Sequence, residues 1–393
     1  MTQQYNDFDV VIIGAGIVGA TLAALMAKSG RRIAVVESRL PPEFSADAPF
    51  ELRVSAISRA SQRALEAAGA WDSIQQKRAH AYEVMQVWDE GGNGEIRFEA
   101  ATAGEPDLGH IIENTVIQSS LIEQLKNNDA VQLFHPSKIV GLSVVDGLQC
   151  AELDSGEYLR APLVVGADGP SSAVRQLAGL SVEVEDYGQK GLVSVVKTEY
   201  GHQDTAWQRF LPGGPLAFLP LDNGYSSIVW TLPADQADRY LRMSDDDFRR
   251  ALADAFDHKL GAIVESGPRA AFALKGSQAS AYIVPGVALV GDAAHTIHPL
   301  AGQGVNLGIK DAIVLADILA SVPPKSWGSF KRLRQYERAR KGDNVLTMRA
   351  MEGFKILFGH DTGVVKIARN MGLNGVNSLP WLKQQIMRHA MGL

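Results

Sequence analysis

Cysteine and positive charge are scarce in this sequence. Cys150 is the one cysteine in 393 residues, which excludes a disulfide framework and a thiolate metal cluster. The formal net charge is −6, which argues against non-specific nucleic-acid binding because such binding needs a basic surface. Internal repeats and low-complexity tracts are also absent. The sequence therefore predicts an ordinary globular protein with no nucleic-acid partner, long enough for two domains.

Two kinds of catalytic centre are also poorly supported. The sequence has no Gly-x-Ser-x-Gly elbow, which disfavours a Ser/His/Asp hydrolase. His295 and His298 are spaced to share a helical face, but Pro299 argues against a helix there, and neither a cysteine nor an acidic third ligand is nearby. We therefore predict no metal.

One uncharged run could be mistaken for a targeting or membrane segment. Val10–Ala27 holds eighteen residues without a charge, which approaches the length of a membrane span. The residues before it include Asp7 and Asp9 but no Lys or Arg, the wrong flank for a secretory signal. The run also carries glycines at turn-like spacing. It predicts a buried strand and helix, in a cytoplasmic protein.

This run opens a βαβ unit. A β-branched strand ends at Ile13 and is followed by Gly14-x-Gly16-x-x-Gly19, a helical stretch, and a second strand that ends at Glu37. The first two glycines serve the tight turn and the approach of backbone to a pyrophosphate, and the third allows close helix–strand packing. An acid at the position of Glu37 binds a ribose 2′-hydroxyl, which suits FAD or NAD and disfavours NADP at this loop.

Two later segments repeat the order strand, acid, glycine, helix start. The strand predicted at 161–165 leads into Gly166-Ala-Asp168-Gly169, and the strand at 287–290 leads into Gly291-Asp292. A loop with further glycines follows, then a helix from about Val305 whose N-terminus favours an anionic ring edge. The three junctions lie more than 100 residues apart along the chain, and we interpret them as three edges of one extended cofactor.

The middle of the chain has a different character. Apolar segments at 207–211, 216–219 and 225–232 alternate with Pro/Gly-rich and Asp-Asn-Gly turns, which predicts an antiparallel sheet. Its aromatic residues either floor a substrate pocket or belong to the core. Arg53, before a Ser/Ala-rich turn, is either a phosphate contact or a solvated surface charge.

Together, these motifs resemble those of the single-component flavin aromatic hydroxylases, the 4-hydroxybenzoate hydroxylase class. The segments Leu52-Arg53-Val-Ser-Ala-Ile, Leu108-Gly-His110-Ile-Ile-Glu-Asn114 and His295-Thr-Ile-His-Pro-Leu-Ala-Gly-Gln-Gly-Val-Asn-Leu-Gly narrow the resemblance to the FAD-dependent hydroxylases of ubiquinone biosynthesis. Within that family the sequence is most similar to the 2-polyprenylphenol hydroxylases, nearly from end to end. The resemblance implies FAD, with the flavin ring against residues 299–307. The implied FAD-binding residues are Gly14, Gly16, Gly19, Glu37, Arg53, Gln118, Asp168, Gly169, Asp292, Gly302, Gly304, Val305 and Asn306.

The resemblance also implies a reaction. FAD is reduced by a visiting NAD(P)H, since no separate nicotinamide domain is visible, and forms a C4a-hydroperoxide with O₂ that hydroxylates an electron-rich phenol ring. The substrate is a lipid-tailed, polyprenylated phenol. No residue need act as a covalent catalyst, and the motifs assign no general base. The pocket candidates are His110, Asn114 and Pro299.

The predicted fold is α/β, with a Rossmann-like FAD-binding domain (1–70, 111–184 and 276–345), a mostly antiparallel substrate domain (71–110 and 185–275) and a C-terminal helical segment (346–393). That segment carries apolar and basic residues, so it either packs on the protein or contacts a membrane inner face or a biosynthetic complex. A homo-oligomer is also open. The alternatives are a sister hydroxylase for another ring position, a flavin halogenase (whose Trp-x-Trp-x-Ile motif is absent), a geranylgeranyl-type reductase and a non-catalytic flavoprotein scaffold.

Overall fold

A computed structural model describes residues 4–27, 30–90, 94–297, 304–359 and 379–392. The helices of these ranges are α1 (Ile17–Ala27), α2 (Arg59–Ala67), α3 (Trp71–Lys77), α4 (Asn114–Lys126), α5 (Ala173–Leu177), α6 (Ala234–Leu241), α7 (Asp245–Ala255), α8 (Gly304–Ala320), α9 (Phe330–Gly359) and α10 (Pro380–Met391), with short 3₁₀ turns at Ala100–Ala103, Asp222–Gly224, Gly291–Ala293 and Pro324–Ser326.

The strands are β1 (Tyr5–Asp7), β2 (Val10–Ile13), β3 (Ile33–Val36), β4 (Val54–Ser58), β5 (His80–Tyr82), β6 (Val84–Asp89), β7 (Glu95–Glu99), β8 (Gly109–Glu113), β9 (Val131–Phe134), β10 (Ile139–Val145), β11 (Leu148–Leu153), β12 (Tyr158–Ala161), β13 (Val164–Gly166), β14 (Val182–Thr198), β15 (Thr205–Leu211), β16 (Gly214–Pro220), β17 (Tyr225–Pro233), β18 (Ile263–Ser266), β19 (Ala270–Ala279), β20 (Ile283–Val284), β21 (Val287–Leu289) and β22 (His295–Thr296).

A sheet in the order β20-β21-β13-β2-β3-β9 forms the centre of the first domain. Its strands run parallel from β21 to β9. The β2 and β3 strands are short β-branched runs buried along their whole length, as expected where helices cover both faces. The uncharged run Val10–Ala27 is therefore β2 followed by α1, as predicted, and α1 packs against α4 and α8.

A second, larger sheet has the order β22-β19-β14-β17-β16-β15-β6-β7, with β18 paired to β14. All its pairs are antiparallel except β15 with β6. One face packs on α6 and α7 around residues such as Phe218 and Trp230. The predicted mixed fold, with a mostly antiparallel second sheet, is confirmed.

Two smaller sheets complete the architecture of the described residues. The sheet β4-β8-β5 lies between the two large ones, and the sheet β1-β12-β11-β10 flanks the first, with Cys150 buried in β11. The sequence assigns residues 71–110 to the substrate domain, but Trp71 and Ile74 pack into the core of the first domain. The helix α4, which carries Gln118, begins at Asn114 directly after β8.

The C-terminal part of the chain is helical where it is described. Met387 and Met391 of α10 are buried against Ala100 and Leu108, and Gln384 donates to the Thr102 carbonyl at 2.9 Å. One end of the predicted segment is therefore attached to the 3₁₀ turn Ala100–Ala103 and to the residues that follow it. Among the described helices, none is both long and apolar enough to cross a membrane.

Candidate functional site

The three predicted junctions follow three neighbouring parallel strands. β13 lies between β2 and β21, and Gly166 pairs with both Ile13 and Leu289. Because the carboxyl ends of parallel strands lie at one edge of a sheet, the three segments that follow Ile13, Gly166 and Leu289 meet there. Segments separated by more than 100 residues thus form one continuous edge, as the interpretation of a single extended cofactor requires.

The three glycines Gly14, Gly16 and Gly19 are required for different reasons. Gly14 has φ +104°, and a Cβ there would lie 2.3 Å from the Ala167 carbonyl oxygen. A Cβ at Gly19 would lie 2.0 Å from the Gly14 carbonyl oxygen, so α1 packs directly on the turn. A Cβ at Gly16 would meet no described atom within 4 Å. Gly14 and Gly19 are therefore needed by the protein's own packing, whereas Gly16 borders open space.

Two predicted cofactor residues hold the peptide groups of Ala15. The Ala15 amide donates to Glu37 Oε2 at 2.7 Å, and Gln118 Nε2 donates to the Ala15 carbonyl at 2.9 Å. Glu37 stands directly after β3, at the same edge of the sheet. Both side chains therefore order the glycine loop and lie within reach of a group bound on it.

Asp168 caps the second junction. Its Oδ2 accepts hydrogen bonds from the amides of Ala173 (2.7 Å) and Val174 (3.1 Å) at the start of α5. Its Oδ1 is buried and has no hydrogen-bond partner among the described residues. A buried carboxylate oxygen that receives no hydrogen bond destabilises the fold, so this atom is suited to accept a hydrogen bond from a hydroxyl group of a bound molecule.

Arg175 connects the second junction to the third. Its guanidinium is buried and donates to the carbonyls of Pro170 (2.7 Å) and Ala293 (2.8 Å). From the sequence alone, Arg175 is only a positive charge near the start of a helix, and its contact with Ala293 cannot be predicted. A buried arginine between two loops fixes their separation, which an extended ligand that contacts both would require.

Asp292 lies at the third junction. Its side chain is exposed to solvent, yet burial by surrounding atoms raises the pKa of its carboxyl, while His295 and Arg53 act in the opposite direction. Arg53 is also exposed, with its guanidinium 6.0 Å from the ring centroid of Phe272 in the large sheet. The third junction therefore borders the large sheet.

Asn306, in the first turn of α8, anchors that helix to β4. Its amide donates to the Ala56 carbonyl at 2.8 Å and accepts from the Ser58 amide at 3.1 Å. The side chain is thereby used by the protein itself, while the N-terminus of α8 at Gly304 and Val305 is placed beside β4. Pro299, Gly302 and His298 lie outside the described residues.

Asp311 is a supporting residue that the sequence did not reveal. Its fully buried carboxylate accepts from His295 Nε2 (2.6 Å) and from the Gly291 amide (3.0 Å), the first residue of the Asp292 turn. Burial alone would raise the pKa of Asp311, but His295 and Arg340 outweigh it and hold the pKa low. The acidic partner of His295 is therefore sixteen residues further on, and the contact is structural.

His110 and Asn114 lie near β4 but face different surroundings. His110 shares a face of β8 with Ile112, is buried, and stands edge-on to Trp71 with a centroid distance of 5.0 Å. Burial lowers the pKa of its imidazole. Asn114 accepts a hydrogen bond from Ser55 Oγ at 2.6 Å. The structure thus places His110 in the packing of the first domain, and its predicted role as a pocket group stays untested.

The described residues fit FAD. A glycine loop with open space at Gly16, an unpaired buried oxygen on Asp168, an accessible acid at Asp292 and a helix N-terminus lie along one edge. Such a row of backbone donors and acids suits a long ligand with a pyrophosphate, ribose or ribityl hydroxyls and an anionic ring edge. These are the features of FAD-dependent oxidoreductases.

Comparison with known proteins agrees. Residues 7–347 match the family model described as FAD binding domain. The chain is 38% identical over 395 residues to the 3-demethoxyubiquinol 3-hydroxylase of Escherichia coli, covering all of both chains. It is 35% identical to the ubiquinone hydroxylase UbiL of Rhodospirillum rubrum (98% of this chain and 89% of that one). It is 33% identical to the human mitochondrial ubiquinone biosynthesis monooxygenase COQ6 (98% and 92%).

Solved structures of other proteins share the fold. The p-nitrophenol 4-monooxygenase PnpA from Pseudomonas putida superposes with a TM-score of 0.79 at 21% identity, covering 99% of both chains. Klebsiella pneumoniae HpxO, solved with FAD and uric acid, superposes with a TM-score of 0.73 at 19% identity, covering 98% of this chain and 95% of that one. The fold and site thus define an FAD-dependent monooxygenase. Within that class, the chain belongs to the family of the FAD-dependent ubiquinone hydroxylases, which confirms the predicted cofactor and family.

Proposed function

We propose that this protein hydroxylates the ring of a polyprenylated phenol in ubiquinone biosynthesis, with O₂ and NAD(P)H as co-substrates. The observation that carries the proposal is the single edge formed by the segments after Ile13, Gly166 and Leu289. The names of the curated relatives supply the substrate class. When bound, FAD supplies the redox chemistry that activates O₂.

The chain's own residues then have three tasks. The first is to hold the cofactor, through the backbone at Gly14–Gly16 and the acids Asp168 and Asp292. The second is to place the N-terminus of α8 where its dipole stabilises negative charge on a ring edge, which the Asn306 anchor achieves. The third is to orient the phenol and exclude water.

An apolar cluster beside the Asn306 anchor suits the third task. It lies between β4 and the large sheet, and its buried members are Ile111, Val195 and Leu221. Partly buried residues pack on it, among them Val54 and Ala56, and the carbonyl of Ala56 is the one that Asn306 binds. We assign the aromatic ring and the first part of the lipid tail to this region.

For the ring position, we propose the reaction of the 2-polyprenylphenol hydroxylases, on the strength of the sequence motifs. The chain should be expressed in strains that each lack one ring hydroxylase of ubiquinone biosynthesis, and quinone intermediates should be measured by mass spectrometry. Disappearance of the accumulated intermediate in the strain that lacks the 2-polyprenylphenol hydroxylase is expected. Rescue of a different strain instead would assign the sister reaction.

We further propose that α10 contacts the membrane that holds the lipid substrate. Trp381 is 61% exposed and Ile386 41% exposed, on a helix whose Met387 and Met391 are buried. Lys383 and Arg388 of the same helix add positive charge, which anionic lipids attract.

This contact is best tested by point substitutions, because removing α10 would uncover the cluster around Met387. Trp381→Ser with Ile386→Ser should reduce sedimentation with anionic liposomes while FAD content stays unchanged. Val144→Ser, at a 64% exposed apolar position on β10, is the matched control and should sediment like the parent. Equal sedimentation of all three proteins would contradict the proposed contact.

A further inference from the structure

Four side chains from three separate segments meet beside the small sheet β4-β8-β5. His80 lies on β5, His202 and Asp204 on the connection from β14 to β15, and Asp222 on the 3₁₀ turn before β17. More than 120 residues separate His80 from the other three, so no motif spacing reveals the group. None of these residues belongs to the predicted FAD site.

Three donor atoms of this group converge. His80 Nε2 is 3.0 Å from Asp204 Oδ1, and His202 Nδ1 is 3.6 Å from the same oxygen. One ligand atom each from His80, His202 and Asp204 lies within 4.8 Å of the other two. Ligands bound tetrahedrally at 2.0–2.1 Å are themselves about 3.3 Å apart. The three atoms thus need only small shifts to share one ion.

In each histidine, the outer ring nitrogen, the one that does not face Asp204, already has a hydrogen-bond partner. His80 Nδ1 is 2.9 Å from Asp222 Oδ1, and His202 Nε2 is 3.0 Å from the Leu221 carbonyl oxygen. A carboxylate or carbonyl on the outer nitrogen is the usual support of a metal-binding histidine, because it fixes the ring and raises its basicity. In both rings this support leaves the inner nitrogen to face Asp204.

We propose that His80, His202 and Asp204 bind a divalent transition-metal ion of the zinc type. Two imidazoles and one carboxylate favour Zn²⁺, Ni²⁺, Co²⁺ or Cu²⁺ over Mg²⁺ and Ca²⁺, which prefer oxygen ligands. Binding displaces the hydrogen bond between His80 Nε2 and Asp204 and the one from the Asp204 amide to His202 Nδ1 (3.1 Å). Asp204 can adjust because its side chain is 57% exposed, and water completes the coordination.

The ion would stabilise the contact between two sheets. It joins β5 of the small sheet to a loop of the large sheet, next to Leu221 of the apolar cluster assigned to the substrate ring. An ion that binds only the folded protein raises its stability in proportion to the logarithm of the ion concentration. The role does not depend on FAD or on the proposed function, so it can be tested separately.

The test is Zn²⁺ titration of the tag-free, FAD-loaded protein, followed by calorimetry and by competition with a chromophoric chelator. One equivalent should bind to the parent protein and raise its melting temperature. His80→Gln and His202→Gln should each abolish this equivalent, and Asp222→Asn should weaken it by about 10- to 100-fold.

His258→Gln is the matched control. His258 Nε2 lies 2.9 Å from Asp254 Oδ1, a histidine–carboxylate pair with no third ligand among the described residues. This variant should bind Zn²⁺ like the parent, and the flavin absorbance of every variant shows that it is folded. Absence of saturable binding up to ~0.1 mM Zn²⁺, or unchanged affinity in His80→Gln and His202→Gln, would overturn the proposal.

Discussion

Arg340 on α9 and Asp311 on α8 form an ion pair in the protein interior. Arg340 Nε donates to Asp311 Oδ1 at 2.7 Å, and both side chains are at most 1% exposed. The other oxygen of Asp311 holds His295 and the amide of Gly291. A single buried carboxylate therefore links α9, α8 and the turn that carries Asp292.

Asp311→Asn is expected to destabilise the protein strongly. It removes the carboxylate charge that faces Arg340 Nε in the interior and leaves Arg340 with Asp343 as its acidic partner among the described residues. Breaking a buried pair costs about 3–5 kcal/mol. The free energy of unfolding should be measured by urea titration of the FAD-free protein. Asp317→Asn, at an exposed position on the same helix, is the control and should change it by no more than about 0.5 kcal/mol. Equal effects of the two substitutions would contradict the assigned role of Asp311.

Gly16→Ala and Gly19→Ala should separate cofactor binding from folding. The Gly16 methyl group meets no described atom within 4 Å, so Gly16→Ala should keep the apo-protein's melting temperature while FAD affinity falls, because the methyl group occupies ligand space. Gly19→Ala should lower the melting temperature, because its Cβ would lie 2.0 Å from the Gly14 carbonyl oxygen. If Gly16→Ala retains FAD as tightly as the parent protein, the pyrophosphate does not lie there.

Asp292→Ala should weaken FAD binding with little effect on the apo-protein. The loss of one charge-assisted hydrogen bond is worth about 1.5–3 kcal/mol, or about 10- to 150-fold in affinity. Fluorescence titration of the apo-protein with FAD measures the change. Asp235→Ala, at an exposed position on α6, is the control. Unchanged affinity in Asp292→Ala would remove Asp292 from the cofactor site.

His110 should make the protein less stable in mild acid. Burial lowers the pKa of its imidazole in the folded state, so the unfolded chain binds the proton more readily. The unfolded state is then favoured as the pH falls below the unfolded pKa of about 6.5. In His110→Gln, the loss of stability between pH 7.5 and 5.5 should be smaller than in the parent protein. An identical pH dependence would show that His110 is not buried in its neutral form.

The sequence predicted what is encoded locally. The second and third cofactor junctions each join a strand, an acid, glycines and a helix start in one short stretch of sequence, and Glu37 of the first junction follows the next strand. The pattern is therefore legible without the fold. The links between junctions were not predictable, because Arg175 reaches Ala293 and Asn306 reaches Ala56 over 118 and 250 residues. The start of α4 has no local signal, because its N-cap residue Glu113 makes no side-chain capping hydrogen bond.

Oxygen labelling tests ring hydroxylation most directly. The FAD-loaded protein should be supplied with ¹⁸O₂, NAD(P)H and a 2-polyprenylphenol in detergent or liposomes, and the product should be analysed by mass spectrometry. Ring hydroxylation should place one ¹⁸O atom on a ring carbon for each NAD(P)H consumed, with little hydrogen peroxide. Oxidation of NAD(P)H that yields only hydrogen peroxide, with no label in the phenol, would contradict ring hydroxylation.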